Sequence, residues 1–313
     1  MSQDQPGTGA VRYGADLALA LRIADAADAI TMDRFLAVDL QVEDKPDATP
    51  VSDADRGVER AVREILGQQR GSDAVLGEEY GLSGPGSGAD PASSSHSGPG
   101  SGPDWGPGSG WGSVPRRWVV DPVDGTKNFV RGVPVWATLI ALMDGAGEPS
   151  EADPLGNGTP VVGVVSAPAL ARRWWAVRDG GAWVSAPGSR VRRLAVSQIG
   201  TLSDAFLAYS GAGSWHQAGR GEAFDTLSRS VWRTRGFGDF WSHMLVAEGA
   251  VDVSAEPVVN LWDLAALQVV VEEAGGRLTD HQGQARPDGG TVLCTNGRLH
   301  AAALEILRQG SPA

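Results

Sequence analysis

The sequence predicts an α+β fold in which layered sheets carry helices packed between and outside them. Short β-branched or aromatic runs are mixed with amphipathic stretches, without the strict strand and helix alternation of a parallel βαβ sheet. The 313 residues are roughly twice the length of a common single domain, which allows one large domain or two fused subdomains. A hydrophobic content of 42% is enough for a sizeable core.

Residues 1–14 are polar and expected to be a disordered lead. From Ala15 to Ala37 the apolar Leu17, Leu21, Ala24, Ile30 and Phe35 recur at helical intervals with no internal Pro or Gly. A second helix is expected from Ser52, with Asp55 in its first turn, Val58, Val62, Ile65 and Leu66 on one stripe, and an end at Gly67. Residues 83–113 turn to Gly, Ser and Pro and are expected to be a disordered insertion, and Asp144 to Pro160 forms another loop. Strands are expected at 117–120, 137–143, 161–166, 173–177, 205–209 and 251–255, and helices at 241–248, 264–273 and 299–308. The subdomains would divide near residue 200.

Several function classes drop out. No apolar run approaches the roughly 20 residues that span a bilayer, and no secretory signal precedes the first helix. The single cysteine, Cys294, lies in the apolar run Thr291-Val292-Leu293-Cys294 and reads as a strand filler, while the five histidines lack zinc-ligand spacing. The reducing cytoplasm is the simplest compartment. A net charge of -12 repels nucleic acid and anionic membranes. An anionic substrate therefore needs a cation as mediator.

The chemistry concentrates in Trp118-Val119-Val120-Asp121-Pro122-Val123-Asp124-Gly125-Thr126, an apolar strand that delivers two carboxylates into a turn. Mg²⁺ prefers such hard oxygen ligands. Pro122 removes a backbone donor, and Gly125 permits a turn whose Gly125 and Thr126 amides would seat a phosphate if they open a helix. In isolation such a run is more often a plain turn than a site. Gly77-Glu78-Glu79-Tyr80 also ends an apolar run in carboxylates, though alone it could be a solvated strand end. Asp263, in Leu261-Trp262-Asp263, could be no more than a helix cap. Together the three acidic termini make a candidate metal cage.

Gly77-Glu78-Glu79, then Asp121-Pro122-Val123-Asp124-Gly125-Thr126-Lys127-Asn128-Phe129, then Trp262-Asp263 with Glu272-Glu273-Ala274-Gly275-Gly276, resemble the inositol monophosphatase family in order, spacing and flanks. The resemblance runs from about Ala15 to the last helix, and the Gly/Ser/Pro insertion is the main departure. It implies a layered α/β/α/β/α sandwich, two or three Mg²⁺ ions and often a homodimer. It also implies Glu78, Asp121, Asp124, Asp263 and the Val123 carbonyl as metal ligands, and Glu78, Asp124 and Thr126 as catalytic residues. Gly125, Thr126, Asp263 and Glu256 would contact the phosphate ester. The implied reaction is in-line hydrolysis by water, without a covalent phosphoenzyme.

Within that family, Lys45-Pro46-Asp47, Thr49 to Asp55, Phe129 to Trp136, Arg172 to Trp175 and Arg235 to Phe240 resemble the actinobacterial-type histidinol-phosphatases. This implies L-histidinol phosphate as the small-molecule substrate and a place in histidine biosynthesis. Asp239 and Glu256 could each pair with a cationic group of that amino-alcohol. Arg235 could approach the ester, position Asp239, or be a surface cation at a strand end. Lys45 and Asp47 are expected behind the metal ligands, and Lys127 in solvent. The alternatives are an inositol-1-monophosphatase or fructose-1,6-bisphosphatase-like enzyme, and a non-catalytic regulatory or RNA-associated protein.

Overall fold

The structure is a computed structural model that describes residues 8–46, 49–84, 116–145 and 156–309. Helix α1 (Thr8–Arg34) begins inside the expected lead, so the helix takes in residues 8–14 as well. Gly9 permits this packing, since a Cβ there would stand 1.5 Å from the Arg178 carbonyl oxygen. The helix stops short of the expected Ala37, and Leu36 turns the chain away with φ 65°. The ribbon β1 (Val42–Asp44) and β2 (Pro50–Ser52) leads into α2 (Asp53–Gln69). Ser52 caps α2 in a capping box with Asp55, and Gly67, the expected stop, lies inside the helix on its exposed face. The insertion expected at 83–113 falls outside the described residues except for Ser83 and Gly84.

Among the described residues eight strands form the larger sheet in the order β10-β9-β8-β7-β6-β5-β3-β4. They are β3 (Ala74–Gly77), β4 (Gly81–Ser83), β5 (Arg116–Asp124), β6 (Ala137–Asp144), β7 (Thr159–Ala167), β8 (Arg172–Val177), β9 (Gly181–Ser185) and β10 (Arg192–Arg193). Strands β3 and β5 are parallel neighbours, and the other pairs are antiparallel. The smaller sheet, β12-β11-β13-β15-β14, comprises β11 (Phe206–Tyr209), β12 (Arg233–Gly236), β13 (Val253–Glu256), β14 (Arg277–Thr279) and β15 (Val292–Thr295).

Side-chain alternation along the strands explains the layering. Val75, Trp118, Val120, Ile140, Leu142 and Val164 face α1 and α2, whereas Leu76, Val119, Leu139, Ala141, Met143 and Val165 face the opposite side. There they meet α6 (Asp239–Ala247) and α7 (Leu261–Glu273), which also cover Ala208, Leu278 and Cys294 of the smaller sheet. The outer face of that sheet, with Leu207, Val253 and Leu293, packs on α4 (Ala212–Gln217), α5 (Gly221–Ser230) and α8 (His300–Gln309). The result is an α/β/α/β/α sandwich. Helix α7 is apolar nearly all round because it is buried between two sheets. Gly163 of β7 lets it approach, for a Cβ there would stand 2.4 Å from the Ala266 carbonyl oxygen. Among the described residues no helix is long and apolar enough to cross a membrane.

Candidate metal centre and active site

Residues three apart in a regular strand point to opposite faces of the sheet. Asp121 and Asp124 escape this because β5 is bulged between them: Asp121 pairs with Leu139 and Asp124 with Ala137, so three steps on β5 match two on β6. Pro122 cannot donate to the ladder, which favours the bulge. The Thr138 hydroxyl holds the Pro122 carbonyl at 2.8 Å, and the Val123 amide donates to Asp121 Oδ1 at 3.0 Å. Helix α7 brings in the third carboxylate. Oxygen atoms of Asp121, Asp124 and Asp263 all lie within 4.8 Å of one another.

Asp263 is both a cap and a member of the cluster. It occupies the third position of α7, where its Oδ2 accepts from the Asn260 amide at 2.7 Å. Glu78 arrives from β3, which runs parallel to β5 with Gly77 opposite Val120; its amide reaches the Val120 carbonyl at 3.3 Å. Lys45 Nζ bridges Glu78 Oε1 at 2.8 Å and Glu79 Oε1 at 2.7 Å. Asp47, expected beside it, lies outside the described residues.

The electrostatics of the cluster are those of confined like charges. Burial, followed by the charges of Glu78, Asp124 and Asp263, pushes the Asp121 carboxyl far above the usual range. Burial and Asp239 do the same to Asp124, and burial with Glu78 and Asp239 pushes Asp263 up to about 7. Among the described residues none of these three aspartates forms an ion pair. An all-oxygen donor set of this charge fits Mg²⁺, which would relieve the repulsion.

Past the bulge, Gly125 takes φ 86° and caps the short helix α3 (Thr126–Val130), so the Gly125-Thr126 turn does open a helix. A Cβ on Gly125 would meet the Val135 carbonyl oxygen at 3.0 Å. The Thr126 hydroxyl has two acceptors, the Val123 carbonyl at 2.9 Å and Asp55 Oδ1 at 3.3 Å. Asp55 is completely buried at the start of α2 and accepts from the Ser52 amide at 2.8 Å. In the sequence Asp55 carries the signal of a capping residue, and its second role toward Thr126 has no local signature.

Beside the cluster lies a cavity of about 210 Å³, lined by Asp124, Asp239, Glu256 and Asp263 together with Ser210 and His243. Ser210 links Asp239 and Glu256: its Oγ accepts from the Asp239 backbone amide at 2.7 Å and donates to Glu256 Oε1 at 2.5 Å. Asp239, with φ 48°, sits in a conformation that costs a non-glycine residue strain. Burial pushes Glu256 up to about 8 and His243 down to about 4. Ser210 and His243 carry no sequence signal, because only the folded sheet and α6 turn them to the cavity. Arg235 is not brought to Asp239. It lies exposed on β12, its guanidinium on the Thr234 carbonyl at 2.8 Å. Lys127 is exposed as expected.

Known proteins share the sequence pattern and the fold of this chain. The sequence pattern of the inositol monophosphatase family matches residues 15–311. The histidinol-phosphatase of Streptomyces coelicolor is 50% identical over 297 residues, covering 95% of this chain and 98% of its own. That of Mycobacterium tuberculosis is also 50% identical, covering 94% and 98%. The inositol monophosphatase structure from Zymomonas mobilis superposes with a TM-score of 0.72 at 28% identity, covering 95% of this chain and 98% of that one. This protein therefore belongs to the inositol monophosphatase family.

Proposed function

We propose that the protein is a histidinol-phosphatase that hydrolyses L-histidinol phosphate to L-histidinol and phosphate in the cytoplasm, with Mg²⁺ as its cation. The carrying observation is the cavity in which two carboxylates, Asp239 and Glu256, stand beside the acid cluster. A phosphate ester that also bears an ammonium and an imidazole matches both ends of such a site, whereas an inositol ring has no cation for the carboxylates. The 50% identity to two histidinol-phosphatases over nearly the whole chain supports the same substrate. The family resemblance carries a homodimer as the assembly.

Glu78, Asp121, Asp124, Asp263 and the Val123 carbonyl would hold the cations, two or three in number. Mg²⁺, when bound, neutralises the phosphate and makes water more acidic near neutral pH. The Gly125 and Thr126 amides, at the start of α3, take phosphate oxygens. With its proton directed at Val123 and Asp55, the Thr126 hydroxyl presents a lone pair to the attacking water, which Glu78 also orients. Attack is in line and direct. Cys294 is buried in β15 with its thiol pushed up by burial, so it stays an unreactive thiol.

Phosphate release in Mg²⁺ from histidinol phosphate, inositol 1-phosphate and fructose 1,6-bisphosphate tests the proposal. Histidinol phosphate is expected to be cleaved with the highest kcat/KM. Faster cleavage of inositol 1-phosphate would move the substrate to the sugar-phosphate side of the family, and the absence of turnover on all three would favour a non-catalytic role.

A further inference from the structure

Glu59 and Arg63 lie on α2 one and two turns past Asp55, behind the acid cluster rather than in it. Glu59 is fully buried and Arg63 nearly so. Arg63 donates to Glu59 Oε1 through Nε at 2.9 Å and Nη2 at 2.6 Å. The same carboxylate accepts the backbone amides just after Glu78: Glu79 N to Oε2 at 2.7 Å and Tyr80 N to Oε1 at 3.2 Å. Arg63 continues to the Gly81 carbonyl at 2.6 Å and the Ser83 hydroxyl at 2.5 Å. Gly77 is required at the end of β3, because a Cβ there would stand 2.1 Å from the Glu59 carboxyl carbon.

We propose that the Glu59–Arg63 pair is a positioning device for the metal-binding carboxylate Glu78, and so sets the affinity of the cation site. Glu78 is clamped on both sides. Its own amide is tied to Val120, and the two following amides are tied to Glu59. A buried carboxylate is costly unless paired, and water would satisfy two amides at a strand end without it. What the pair supplies is direction, through charge-assisted bonds to a rigid helix. Asp55 and Glu59, four residues apart on one face of α2, thus hold Thr126 and the Glu78 turn from a single element.

The inference rests on the cation-dependent reading of the site. Two variants keep the test in a folded protein. Glu59→Asp retains a buried charge for Arg63 while withdrawing the acceptor from the amides, and the double variant Glu59→Leu/Arg63→Met removes both charges together. Isothermal titration of Mg²⁺ is expected to show binding weakened about 10- to 100-fold in both, as for other residues that orient a metal ligand. The Mg²⁺ concentration for half-maximal activity should rise by the same factor, with kcat at saturating Mg²⁺ within about threefold of wild type. Glu64→Gln, on the exposed face of α2, should bind as wild type does. Variants that bind Mg²⁺ within twofold of wild type, whatever their melting temperature, overturn the positioning role alone. A wild-type protein that binds no Mg²⁺ overturns the cation reading and this inference together.

Discussion

The backbone amide of Phe240 donates to Asp124 Oδ2 at 2.7 Å. Phe240 is the second residue of α6 and Asp124 the last of β5, so this bond ties a helix of the C-terminal half to the bulged strand. It holds Asp124 close to two other carboxylates that repel it.

That repulsion makes the effect of Asp121→Asn depend on the cation. With Mg²⁺ the variant should lose at least about 100-fold in kcat/KM and melt below wild type. In chelator it should melt above wild type, because it replaces a buried carboxyl whose ionisation is disfavoured by burial and by the four neighbouring acids Glu78, Asp124, Asp263 and Asp55. Thermal melts in both buffers, with circular dichroism to confirm the fold, check the reversal.

Metal removal should cost more at high pH. In the cation-free protein Asp263 titrates at about 7 instead of its ordinary 3.8, so between these values the folded state binds more protons than the unfolded one. Stability in chelator then falls as pH rises through that window. The melting difference between Mg²⁺ and chelator should accordingly widen from pH 5 to pH 8. A constant difference would contradict this.

Glu256→Gln separates substrate recognition from phosphate chemistry. Losing an ion pair to a cationic group of histidinol phosphate should lower kcat/KM for that substrate about 10- to 100-fold. Hydrolysis of a small aryl phosphate, which lacks the cation, should change by less than about threefold. Equal losses on both substrates would place Glu256 in the general machinery.

His243 should be an acid-labile point. Burial lowers its pKa from 6.5 to about 4, so the unfolded state takes up a proton that the folded state refuses. Its contribution to stability is complete above pH 6.5 and is lost as pH falls toward 4. Compared with His243→Gln, wild type should lose about 2 kcal/mol more between pH 7.5 and pH 5. Urea unfolding of both proteins at the two pH values measures it.

Strands β5 through β8 and helix α7 were legible as apolar runs, because both faces of that sheet and nearly the whole surface of α7 are buried. Strand β12 was not, because Arg-Thr-Arg-Gly at a sheet edge has no buried face to impose a pattern. The helical state of residues 8–14 was hidden for a related reason: the contact of Gly9 with Arg178 spans distant parts of the chain.

By itself the sequence determined the local chemistry of this protein: carboxylates at the ends of apolar runs, a proline and a glycine framing the turn between Asp121 and Thr126, and enough flanking pattern to identify the family. Local order suffices for these features, since turns and caps depend on neighbouring residues. Tertiary structure alone decided that the β5 bulge turns Asp121 and Asp124 to one side, that Asp263 is a cap and a cluster member at once, and that Asp55 accepts from Thr126, Ser210 donates to Glu256 and Glu59 accepts the Glu79 amide while Arg235 lies exposed on Thr234. These depend on strand register and on which helix face meets which sheet, and such long-range pairings leave no mark on the residues next to them in sequence.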